Sequence, residues 1–81
     1  MSEDSIMWTT DMGLVAYMLY HGVRYTDVYW EEGRAHWGIE VNQIVNSLSH
    51  DWYGGAASVE PRRYLHYFRD VKKQVYHMAP R

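Results

Sequence analysis

The chain has 81 residues, enough for one hydrophobic core but not two, so a single domain is expected. With 47% hydrophobic and 22% charged residues, six Gly and two Pro, the composition excludes a disordered or low-complexity chain outside the termini. A formal charge of −2 argues against a dedicated nucleic-acid binder, and the lack of Cys excludes disulfide staples and thiolate metal sites, pointing to the cytoplasm.

Residues 1–5 read as a frayed lead-in, and their acidic start does not suit a signal peptide. Ile6-Met7-Trp8-Thr9 has the makings of a short strand. Thr10 reads as the N-cap of a helix from Asp11 to about Tyr20, with Asp11 favourable in the first turn through the helix dipole. Leu14, Val15, Met18 and Leu19 fall on one side of it, and Gly22 supplies the stop. Gly13 weakens the first turn, a cost that the close approach of another backbone would explain. The longest apolar run, Leu14 to Tyr20, is too short to span a membrane.

Val23 to Trp30 and Ala35 to Val41 are both rich in β-branched and aromatic residues, and Glu31-Glu32-Gly33-Arg34 joins them as a hairpin loop. In the second strand Ala35, Trp37, Ile39 and Val41 should face the core, with His36, Gly38 and Glu40 facing away. In the first strand, Val28/Trp30 and Tyr25/Tyr29 compete for the buried face. The period then turns helical: Val41, Ile44, Val45, Leu48 and Trp52 form an apolar side that Gly54-Gly55 brings to an end. Pro61 suits the first turn of a last helix, in which Tyr64, Phe68, Val71, Val75 and Met78 make an apolar stripe, and residues 79–81 fray. The expected architecture is β-α-β-β-α-α, an α+β fold with a small, mainly antiparallel three-stranded sheet and three helices packed on one face.

Several of these stretches resemble a family of small bacterial, phage and prophage proteins, a domain of unknown function. The shared features are Thr10-Asp11 followed by Leu14, Ala16, Tyr17, Leu19 and Gly22, and the Gly33-Arg34 turn into an aromatic strand. The most specific is the Ala-x-Val-x-Pro element, Ala57 to Pro61, ahead of a last helix with Tyr64, Phe68 and Lys72. The resemblance covers nearly the whole chain, and departs from the family's pattern in placing Trp37 where a Phe is usual. It implies the fold and a phage-associated origin, and no activity.

The charge is unevenly distributed. Two basic and nine acidic residues precede position 61, whereas six basic and one acidic follow. Arg62, His66, Arg69 and Lys73 lie within roughly a 60° arc on the far side of the last helix from its apolar stripe. One reading makes Arg62, Arg63, His66, Arg69, Lys72 and Lys73 a phosphate-binding face, with Tyr67 and Tyr76 available for stacking. The plainer reading, preferred here, is a solvated face whose charges pair locally.

The five histidines fall at spacings that suit no metal site, and no nucleophile motif or phosphate-binding loop occurs. Glu31-Glu32 would sit in high dielectric at a hairpin tip. No enzyme, cofactor or metal is expected. Four Trp and eight Tyr against one Phe are more than one small core can absorb, and such residues anchor interfaces. The leading expectation is therefore a non-enzymatic, phage-type interaction protein. It would dock onto a macromolecular partner, a host or defence protein or a second copy, through Tyr25, Tyr29, Trp30, Glu31 and Glu32. A nucleic-acid module and a small structural oligomer are the alternatives.

Overall fold

The computed structural model describes residues 5–80, and the elements follow in the expected order. They are β1 (Ile6–Thr9), α1 (Met12–Tyr20), β2 (Asp27–Glu31), β3 (Arg34–Glu40), α2 (Gln43–Tyr53) and α3 (Pro61–Met78). The three strands form one antiparallel sheet in the order β1-β3-β2, so the second hairpin strand is central and the first strand of the chain pairs across it. Ser5 and Ala79 were expected to be loose, but Val41 N–H donates to the Ser5 carbonyl and Ala79 N–H to that of Val75. The other residues of the expected lead-in and tail lie outside the described ones, apart from Pro80.

α1 is the organising element. Its residues 14 to 18 are all buried, so it has no polar side; a helix apolar all round must be covered all round. On one flank Leu14, Tyr17 and Met18 pack with Ile39 of β3 and with Val45 and Leu48 of α2. On the other, Val15 and Ala16 pack with Ala35 and Trp37 of β3 and with Val71 of α3. The sheet floors both lobes through Ala35, Trp37 and Ile39, alternate residues of β3 that all face the helices, as the period of two predicts. All three helices therefore lie on one side of the sheet.

The helix ends depart from the expected ones in instructive ways. Asp11, not Thr10, caps α1: its Oδ1 accepts the Leu14 N–H at 3.1 Å, while Thr9 Oγ1 accepts the Asp11 N–H at 3.0 Å. Gly22, at φ 83°, ends α1 with Val23 N–H bonded to Met18 O and Gly22 N–H to Leu19 O, the paired closure that a left-handed residue permits. Asn42 caps α2, so Val41 stands outside the helix, and Ile44, expected on its buried side, is 62% exposed. The hairpin is tighter than expected: Glu31 pairs with Arg34, leaving Glu32 and Gly33, both at positive φ, as a two-residue turn.

Glu60 caps α3, an uncommon role for a Glu: its two carboxylate oxygens accept the Arg63 and Arg62 N–H groups at 2.9 and 3.1 Å. Those bonds hold its pKa below the ordinary 4.5. A carboxyl depressed on folding stabilises fully above its unfolded value and loses that contribution as pH falls through the native one. Acidification below pH 4.5 should therefore loosen the first turn of α3 before the core opens, read as lost amide-exchange protection at Arg62 and Arg63. Glu60→Ala should show the same loss at neutral pH.

Candidate interaction surface

The side of the sheet turned away from the helices is uncovered. Alternation along the strands places Ile6 and Trp8 of β1, Asp27, Tyr29 and Glu31 of β2, and Arg34, His36, Gly38 and Glu40 of β3 on it. Three rings gather at its centre. Trp8 meets Tyr29 edge-on at 5.1 Å although the two belong to opposite edge strands, and the His36 ring stacks parallel on Tyr29 at 4.8 Å. Trp8 remains 46% exposed and Tyr29 39%.

Gly38 makes this cluster possible. It stands opposite Trp8 in register, and a Cβ there would lie 2.9 Å from two atoms of the indole. With no side chain on the central strand, the indole lies across β3 and reaches Tyr29. A side chain at this position would occupy the space that the indole fills. Asp27, Glu31 and Glu40 ring the cluster and Arg34 is the one strand cation on this face.

The five residues expected to bind a partner do not share this surface. Tyr29 and Glu31 do, and Glu32 sits at the turn beside it. Tyr25 and Trp30 turn to the helix side and pack against the core, settling the competition within the first hairpin strand in favour of Val28 and Trp30 as its inner residues. Trp8, His36 and Gly38 were missed as a site, because only the strand order brings β1 and β2 to either side of Gly38.

The basic residues of α3 point outward as expected, but their charges are not paired as the plainer reading supposed. Arg62, Arg69, Lys72 and Lys73 are exposed, and none of them makes an ion pair among the described residues. Arg63 instead stacks over the Tyr20 ring at 4.4 Å, and His66 faces Asp70 at 3.8 Å. Between the cations stand two exposed apolar residues, Leu65 and Tyr76, the latter 69% exposed. The side chains of Arg69, Lys72, Lys73 and Tyr76 line a shallow groove on this side.

Reactive chemistry finds few footholds. The Tyr17 hydroxyl is held above its ordinary 10 by burial and then by the charge of Asp51, and that of Tyr64 by burial and then by Asp11. Both shifts belong to packing; the Tyr64 hydroxyl donates to the Gly13 carbonyl and ties α3 to the start of α1. Among the described residues no three His, Asp or Glu side chains converge on a point where they could hold a metal, and no helix is long and apolar enough to cross a membrane. The chain matches no family model, no curated protein and no solved structure.

Proposed function

We propose that the protein is a docking module without bond-making chemistry, of the phage-associated kind its family resemblance implies, acting in the cytoplasm. Its working surface is the uncovered sheet face. The observation that carries this reading is the Trp8–Tyr29–His36 cluster, its indole lying across Gly38, half exposed and supported from beneath by the strands. Tyr and Trp held in this way supply contact area at little entropic cost, the property that makes them interface anchors.

The rim favours a protein over a nucleic acid. Stacked aromatics on a sheet suit unpaired bases, but such platforms are flanked by cations that hold the phosphates. Here Asp27, Glu31 and Glu40 occupy those positions and would repel a polyanion. The partner surface that fits is apolar or aromatic at its centre and cationic around it.

The double variant Trp8→Ser/Tyr29→Ser tests the reading. The edge-on pairing of the two rings is worth about 0.5–1.5 kcal/mol, so a chain without it should still fold. Affinity capture from bacterial lysate should show a protein retained by the wild type and by the exposed control Ile44→Ser, and absent with the double variant. Equal capture by all three would overturn the assignment of this face.

A further inference from the structure

We infer that the partner of the open sheet face is a second copy of this chain, which lays the outward side of its α3 across that face. The inference rests on the docking role just assigned to the sheet and adds what covers it. The two surfaces are opposite in charge and alike in having apolar centres. The sheet offers Ile6, Trp8 and Tyr29 ringed by Asp27, Glu31 and Glu40, with Arg34 the one cation against three acids; the helix offers Leu65 and Tyr76 among Arg62, Arg69, Lys72 and Lys73.

Their dimensions agree. Asp27 and Glu31, four residues apart on β2, lie ~13 Å apart, and Glu40 extends the acidic rim on β3. Arg62 and Lys73, eleven residues apart on α3, are separated by ~16 Å along the helix axis. A sheet with helices on one side only has room for a helix on the other, and α3 carries the charges that suit this one. The four cations, which make no ion pair among the described residues, and the acids of the sheet face would answer one another across the contact.

A single copy cannot make this contact with itself, since α3 packs against the opposite side of the sheet through Val71. Nor does pairing of sheet edges offer an easier route: β1 is only 4 residues long, and the outer strand β2 begins and ends with acids. The contact is head-to-tail, so each copy has one donor face and one acceptor face, and association proceeds to chains or closed rings rather than stopping at a two-fold dimer. Three strands of up to seven residues present a face of ~14 by ~23 Å, small beside the ~800 Å² per partner of stable complexes. Association is accordingly weak, and is to be sought at ~0.1–1 mM protein and low ionic strength.

Light scattering of the full chain decides the matter. The mass of the wild type should rise with concentration at low salt and fall back to monomer at ~0.5 M salt, where charge attraction is screened within a few ångströms. Trp8→Ser/Tyr29→Ser should be monomeric because its sheet face is spoiled, and Arg69→Glu/Lys73→Glu because its helix face is. Mixed in equal amounts, these two should form a species of twice the monomer mass and nothing larger, since the mixture contains one intact face of each kind. A wild type that stays monomeric at ~1 mM and low salt overturns the inference, as does failure of the mixture to pair. So does a dimer indifferent to Arg69→Glu/Lys73→Glu, or a monomer whose α3 face binds duplex DNA instead. If the chain is monomeric but its lysate partner still disappears with Trp8→Ser/Tyr29→Ser, the second copy is excluded and the docking face stands; if neither is affected, both fall.

Discussion

Trp37→Ala is expected to lower stability by about 3–5 kcal/mol, a large share of the ~4–12 kcal/mol that a domain of this size has in all. Trp37 is the largest side chain in the core, 1% exposed on the central strand, with Val15 and Ala16 of α1 and Val71 of α3 in its cluster. No single neighbour can move in to fill the space. Trp37→Phe should behave quite differently. The indole N–H is buried without a hydrogen-bond partner among the described residues, a state that costs about 1–3 kcal/mol, and phenylalanine removes that cost while giving up part of the ring. The two effects nearly cancel, so Trp37→Phe should lie within about 1.5 kcal/mol of the wild type. Denaturant midpoints at unchanged m-value measure both variants. A Trp37→Ala cost under about 1 kcal/mol would mean that the indole is not packed between α1 and α3 as described.

Asp11→Ala should be the most damaging change at any helix end, at about 2–4 kcal/mol. Its carboxylate serves two partners: Oδ1 accepts the Leu14 N–H, and Oδ2 accepts the Trp52 Nε1–H at 3.1 Å. Alanine thus removes the cap of α1, worth ~1 kcal/mol, and orphans the indole N–H that fastens α2 to the start of α1. Asn42 provides the control. It caps α2 through one bond to the Val45 N–H, and Asn42→Ala should cost only ~1 kcal/mol. Asp11→Asn should be intermediate, because an amide can accept from one N–H but turns its own donors toward the other. A double-mutant cycle between Asp11→Ala and Trp52→Phe should give a coupling of about 1 kcal/mol or more, and additive costs would show that the contact contributes nothing.

The same corner shows where the sequence could be read and where it could not. Gly13 was expected to admit a neighbouring backbone, but what lies there is a side chain: a Cβ at that position would come within 2.7 Å of the Trp52 ring. A glycine in a first turn announces that something passes close by, and local pattern cannot say which of the chain's aromatics arrives. The elements themselves were legible because their periods are clean, as in β3 with Ala35, Trp37 and Ile39 inward, or α3 with Val71 at the centre of its stripe. Ile44 misled because it satisfied the helical spacing while the fold had no neighbour to place against it. The candidate surface was half legible. Tyr29 and Glu31 stood out in the hairpin, but Trp8 joins them only through pairing across β3, and Tyr25 and Trp30 were drawn inward by α1 and α3, whose position no short-range signal encodes.

The encirclement of α1 has a consequence for how the molecule comes into being. A segment with no hydrophilic side has no comfortable half-finished state: with β1, β3 and α2 in place, Val15 and Ala16 rest on Ala35 and Trp37 but stay uncovered on the side that Val71 of α3, more than fifty positions downstream, closes. During synthesis the growing polypeptide therefore remains adhesive until α3 has left the ribosome, and maturation comes as one late, cooperative closure rather than as a sequence of stable stages.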